Sequence, residues 1–569
     1  MIELLEQFDR SDFKPKPLPR LLAPPVSKPG VLTGLILALL TLLPSMLPKS
    51  GVTQGAVLGI TFAIGYAFGA TWQWAWHFLE MPAPSGRFWR ATAWLAFVVL
   101  AYFLGSNLWR HVGWQNTVRQ TFGMEPVSPV VWLLIVPVSL LFAALIFVLA
   151  RSLRKLFNII VRWLDRHLPR RLALLIGGVA FTALLWGLWS GVLVDGFFAL
   201  ANQVMAPLDA STDEGITRPD SPNRSGSPGS LVEWSTLGRQ GRTFVSTGPT
   251  VGDLNLFHGG GALEPIRVYA GLRSAPTVEE RAMLVLNELI RTNAFEREVL
   301  VVATTTGTGK LETNAMDSLD FVTKGDVAVA GVQYSYLSSV LSLLGDEDEV
   351  KETSQVVFDT IHGYWSALPE DDRPEFYLYG LSLGAFGVES ILTSIEIINS
   401  PIDGALLVGP PFVSELWSQL IEERDPGSTP ALPTYEQGRT VRFTNEHSVA
   451  SLSSGEWGGT RILYLQNASD PIVFFDPDLL LDQPDWLREG QRGVEINEGF
   501  IWIPFVTMWQ VLTDLASAGS VPEGFGHLYT KQANADAWIA VTQPEDWSPA
   551  DTERLMQHLS TLGPSRYPG

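Results

Sequence analysis

The chain of 569 residues is 46% hydrophobic, carries 39 Lys+Arg against 59 Asp+Glu, and has no cysteine. Its length fits about two to four domains, and the lack of cysteine excludes disulfides, a thiolate nucleophile and Cys-ligated metal. Residues 1–201 hold 17 Lys+Arg against 8 Asp+Glu and the rest hold 22 against 51, so the C-terminal part would repel phosphate and nucleic-acid binding is excluded.

Residues 1–29 are polar, Pro-rich and basic, with Arg10, Lys14, Lys16, Arg20 and Lys28. They lack the compact apolar core and cleavage site of a signal peptide and are expected to form a cytoplasmic tail. Five apolar segments follow, at about 31–48, 52–79, 88–109, 130–150 and 172–200. Each is long enough to cross a hydrocarbon core of about 30 Å, so residues 30–202 are expected as an all-α transmembrane domain of about five helices. Gly55, Gly59, Gly65 and Gly69 would let helices approach closely. Pro44 and Pro48 would kink or shorten the first segment. His77, Glu80 and Asp195 fall near segment ends, where an interfacial role is cheaper than one in transport.

The loop after the fourth segment holds Arg151, Arg154, Lys155, Arg162, Arg166, Arg170 and Arg171, and the loop before the third holds Arg87 and Arg90. Both should therefore be cytoplasmic. Five crossings then place the remainder outside a cytoplasmic membrane. Membrane lipid is the expected neighbour; a homo-oligomer stays open.

Residues 203–230 end in a Ser/Pro/Gly/Asp-rich run and are expected as a flexible linker, with a catalytic domain over 231–569. Strands are expected at 266–272, 299–303, 327–332, 375–379, 405–408 and 462–466, with helices at 278–291, 315–321 and 352–367. Near-continuous apolar strands alternating with helices indicate a mostly parallel sheet covered on both faces, an α/β class.

Gly380-Leu381-Ser382-Leu383-Gly384 follows the 375–379 strand and precedes helical spacing. That is G-x-S-x-G in a strand–turn–helix setting, where small flanks let strand and helix backbones nearly touch and the serine hydroxyl rises from the sheet. Acyl transfer also needs a base and an acid, in the chain order Ser, Asp, His on an α/β-hydrolase. Asp470 follows the 462–466 strand and a short polar turn, and His527 sits between Gly526 and an apolar tail on a late loop. Asp476, Asp478, His362, His447 and His558 are less well placed. Oxyanion donors are expected from the N–H of Leu383 and the loop at Thr305, Thr306 and Gly307. That loop is no phosphate-binding P-loop, because Thr304 stands where a glycine is required. His258-Gly259-Gly260-Gly261 resembles an oxyanion motif but precedes an early strand and reads as a turn.

Tyr334 and Tyr336 follow a strand end and could line a pocket. Trp502, Phe505 and Trp509 lie in an apolar run between acid and base, suited to an acyl-binding cap or a buried core helix. The expected activity is hydrolysis of a hydrophobic carboxylic ester, with no cofactor and no metal. An acyltransferase with the same residues and a non-enzymatic membrane receptor are the alternatives.

With these residues in hand, the chain resembles a bacterial family of membrane-anchored α/β-hydrolases, with a multi-span N-terminal domain and a C-terminal hydrolase domain. The matching stretches include Pro265–Leu272, Thr306–Gly309, Gln333–Leu337, Gly380–Gly384, Val408–Pro411, Asp470-Pro471, Pro504–Thr507 and Gly526-His527, across essentially the whole chain. The resemblance implies serine-hydrolase chemistry and says little about substrate. Lys310 departs from it, standing where a bulky or aromatic residue is expected.

Overall fold

A computed structural model describes residues 26–81, 86–188, 194–337, 342, 345, 347–394, 397, 400–448 and 456–562. The expected tail at 1–25 lies outside the described residues. The chain divides into two compact units. One is Met1–Leu43, Ser50–Gly113 and Ser128–Ala150; the other is Pro44–Lys49, Trp114–Val127 and Arg151–Gly569.

The first unit is helical. Helices Lys28–Leu40 and Gly51–Phe78 meet through small residues: a Cβ on Gly65 would lie 2.6 Å from Thr33 O, and one on Gly69 would lie 2.5 Å from Pro29 O. Among the described residues of the whole chain, four helices are long and apolar enough to cross a membrane: Gly51–Phe78, Arg87–Thr121, Pro129–Leu164 and, within the second unit, Arg170–Gly187. The first expected span is shorter than expected. Its helix has 13 residues, about 20 Å at 1.5 Å per residue, and so falls short of a hydrocarbon core of about 30 Å. It ends at Leu40, ahead of a turn carrying Pro44 and Pro48, which cannot supply the N–H groups a continuing helix needs.

The second unit is built on a seven-stranded sheet: β1 (Ile266–Ala270), β2 (Val299–Thr304), β3 (Val327–Val332), β4 (Glu375–Leu381), β5 (Gly404–Val408), β6 (Val441–Thr444) and β7 (Arg461–Leu465). The order is β1-β3-β2-β4-β5-β7-β6 and every pairing is parallel. Both faces are apolar, as a sheet covered by helices requires. Phe376 and Leu378 of β4 enter one core with helices Val278–Arg291 and Glu347–Ser366, while Tyr377 and Tyr379 enter the other with Thr313–Val322 and Lys531–Thr542.

The six expected strands are present. β6 was not expected: it is four residues long and sits at the sheet edge, beyond β7, although it precedes β7 in the chain. Residues 203–230, expected as a flexible linker, are instead folded. Helix Val194–Asp209 runs into them, and Arg224 pairs with Arg267 of the edge strand β1. Ser225 N donates to Arg267 O, and Arg267 N to Asn223 O, both at 3.0 Å. A polar run can therefore be ordered by an edge strand that needs backbone partners.

The chain turns one way after β2 and the other way after β4, and these strands are neighbours. The crevice at their C-terminal ends is the topological switch point where α/β sheets place their sites.

Candidate active site

β4 ends in Gly380-Leu381, and Ser382 then takes φ 56°, ψ −121° before helix Leu383–Leu392. L-residues avoid this backbone region, and strain of this kind marks functional turns. The flanking glycines are sterically required. A Cβ on Gly380 would lie 2.2 Å from Gly384 C, and one on Gly384 would lie 2.4 Å from Thr304 O. The second distance also shows that the loop after β2 lies directly against the turn at Ser382.

Asp470 follows β7, is fully buried, and caps the short helix Pro471–Phe474. Its Oδ1 accepts from Ile472 N at 2.9 Å. Its Oδ2 accepts from His527 Nδ1 at 2.6 Å and from Tyr529 OH at 2.7 Å. Burial, and then the neighbouring Asp470 charge, raise the Tyr529 hydroxyl well above its ordinary pKa, so it stays a neutral donor.

The bond to Asp470 puts the proton of a neutral imidazole on Nδ1 and leaves Nε2 as the acceptor. Nε2 is buried and meets no hydrogen-bond partner among the described residues, Ser382 Oγ included. Serine and histidine nonetheless flank one peptide. Ser382 N donates to Val408 O at 2.9 Å, and a Cβ on Gly409 would lie 2.8 Å from His527 Cε1. Contacts of this type close when substrate binds.

The loops bearing Asp470 and His527 are tied together. Asn467 Nδ2 donates to Gly526 O at 3.1 Å, and Gly526 N donates to Ser469 Oγ at 2.9 Å. Ser469 Oγ in turn donates to the buried Glu495 carboxylate, which also accepts Ser469 N at 3.0 Å. Sequence reasoning missed Tyr529, Gly409, Ser469 and Glu495. A glycine between a strand end and Pro410-Pro411 was a signal for Gly409, whereas Glu495 carried none.

Leu383 is buried and supplies the first N–H of the helix that follows Ser382, where the positive end of the dipole faces an anion. Thr305 is buried and its hydroxyl donates to Val332 O at 3.0 Å. Thr306 is a weaker oxyanion candidate, because its N–H donates to Lys310 O at 3.0 Å; Gly307 lies in the same closed turn. Lys310 pairs with Glu312 at 2.9 Å.

Tyr334 is buried in a cluster with Val350, Leu383 and Phe386, beside the turn. Tyr336 is half-buried and lines a separate polar cavity of about 480 Å³ with Arg281, Glu349 and Glu352. The expected apolar helix between acid and base is corrected. It covers Thr507–Leu515 only, and it buries Gln510 and Asp514 as well as Val511. Trp502 precedes it and gives its indole N–H to Leu479 O at 2.9 Å. Phe505 takes a positive φ of 60° just before the helix, and Trp509 is half-buried within it. The His258 turn lies away from the site, bonded to Phe321 O at 2.8 Å near the N-terminal end of β3.

A family model described as an alpha/beta-hydrolase family matches residues 266–555, and a model for the N-terminus of an alpha/beta-hydrolase family matches residues 42–249. No curated protein and no solved structure matches the chain.

Proposed function

The chain belongs to the alpha/beta-hydrolase family, and from that premise we propose that it is a membrane-anchored serine hydrolase of hydrophobic carboxylic esters. Ser382 Oγ attacks the ester carbonyl while its proton passes to His527 Nε2. Asp470 holds the His527 tautomer and stabilises the imidazolium that forms. The oxyanion is met by the Leu383 N–H and by an N–H from the loop at Thr305–Gly307. As the tetrahedral intermediate collapses, the C–O bond to the alcohol breaks and His527 returns the proton to the leaving oxygen. Water then attacks the acyl-enzyme by the same steps, releasing the acid and Ser382.

The observation that carries the reading is the pairing of half-buried His527 with the fully buried Asp470 carboxylate, together with a serine held at positive φ. The four membrane-length helices among the described residues, and Tyr334 packed with Leu383 and Phe386 beside the turn, support a hydrophobic ester as substrate. The outward placement of the hydrolase domain is supported by the positive cluster Arg151–Arg171, which marks a cytoplasmic loop one membrane crossing before that domain.

Ser382→Ala tests the chemistry. The variant should lose hydrolysis of long-acyl nitrophenyl esters and labelling by a fluorophosphonate. Retention of both would refute the assignment.

A further inference from the structure

Two short segments of the N-terminal region are built into the core beneath the sheet, among them Met46, Leu47, Val118 and Phe122, each no more than 1% exposed. They reach the elements that carry His527 by two routes.

The first route runs through Lys49. Its side chain is fully buried and paired with Asp514 of helix Thr507–Leu515. The ammonium also donates to Gln510 O at 2.9 Å and Thr513 Oγ1 at 3.1 Å, and Lys49 N donates to Gln115 Oε1 at 2.9 Å. The turn after that helix begins at Asp514, whose carbonyl accepts Ser517 N at 2.8 Å. The turn ends at Ala518, whose carbonyl accepts the backbone N–H of His527 at 3.0 Å. Gly526 lies so close that a Cβ there would meet Ala518 O at 2.7 Å. The second route runs through Phe122, whose ring centroid is 4.5 Å from that of Phe525, two residues before His527.

We propose that Lys49 and Phe122 are positioning residues for His527, so that the N-terminal region completes the active site as well as holding the protein in a membrane. The inference rests on the triad reading above. A simple anchor would need neither a buried ion pair against the histidine-bearing turn nor an aromatic contact on its loop. Burial of that pair is costly unless both charges are kept together, which makes the docking of Lys49 all-or-none.

The test uses the full-length protein in detergent. Phe122→Ala should lower kcat about tenfold or more with little change in KM, because a displacement of about 1 Å at a reacting group costs up to about a hundredfold. Fluorophosphonate labelling of Ser382 should slow in parallel, and the acid limb of the pH–rate profile should move, since it reports His527. Phe122→Leu should recover part of that loss and stand about threefold below wild type. The double variant Lys49→Met, Asp514→Leu removes both buried charges and should show the same loss in kcat while keeping a cooperative melt.

Folded variants with kcat and labelling within about twofold of wild type, or a loss confined to KM, would overturn the proposal. If Phe122→Ala does not fold, Phe122→Leu decides, a kcat loss of about threefold supporting it and none overturning it. His527→Ala separates the two readings. Activity surviving in that variant sinks the triad, whereas activity lost there but kept in the Phe122 and Lys49 variants sinks only the positioning role.

Discussion

Replacing Gly409 by alanine puts one methyl group where the geometry of Asp470, His527 and Tyr529 leaves no room. The new Cβ would stand 2.7 Å from Tyr529 OH, 2.8 Å from His527 Cε1 and 3.0 Å from His527 Nδ1. Carbon atoms in good contact stand about 3.5–4.0 Å apart, so the imidazole must retreat by about 1 Å. That would stretch a bond to Asp470 that is now 2.6 Å long. A misplacement of about 1 Å costs about a hundredfold in rate, or about 2.7 kcal/mol of barrier. The backbone adds its own strain of about 1–2 kcal/mol, because Gly409 holds φ +52°. The assay is kcat on a nitrophenyl ester together with the rate of fluorophosphonate labelling, in the full-length protein in detergent. Gly363→Ala is the control, as it meets nothing within 4 Å and lies in helix Glu347–Ser366. It should leave kcat unchanged and add about 0.5–1 kcal/mol of stability. If Gly409→Ala keeps kcat within about twofold, the close packing of His527 on Val408-Gly409 is refuted as a requirement for activity.

Tyr529→Phe removes one donor to the Asp470 carboxylate but leaves Ile472 N–H and His527 in place. A hydrogen bond to a charged group is worth about 1.5–3 kcal/mol, so kcat should fall by about tenfold to a hundredfold, measured on the same ester. Glu389, on the helix after Ser382, is raised by burial to about 7. The folded chain keeps a proton that the unfolded chain has already lost above about pH 4.5, so this stabilisation is present at low pH and disappears as pH rises through about 7. The wild-type stability, read from urea melts, should therefore fall between about pH 4.5 and about pH 7 on account of this group, by up to about 3 kcal/mol, and Glu389→Gln should flatten that fall. Because the chain has no cysteine, single-cysteine variants report topology directly. In spheroplasts an impermeant maleimide should label Ser560→Cys at once and Ser152→Cys only after permeabilisation; the reverse pattern would refute the outward placement.

The sequence by itself determined the alternation of strands and helices, and with it a sheet apolar on both faces, because that information is local. Val299–Ala303 and Val327–Val332 can be nothing but buried strands, and Gly380 and Gly384 leave room for one kind of turn. The residues Ser382, Asp470 and His527 were legible for the same reason, each being marked by its immediate neighbours and their order along the chain. Tertiary structure alone decided what those neighbours could not. It ordered residues 203–230, because the edge of β1 needed backbone partners that a polar run could supply. It placed β6 beyond β7 against chain order. It also brought Tyr529 and Gly409 to Asp470 and His527, Glu495 to the neighbouring Ser469, and Lys49 to Asp514 across more than four hundred residues. Such pairings answer to burial and to the hydrogen bonds that buried groups must find, and neither is written in the spacing of residues along a chain.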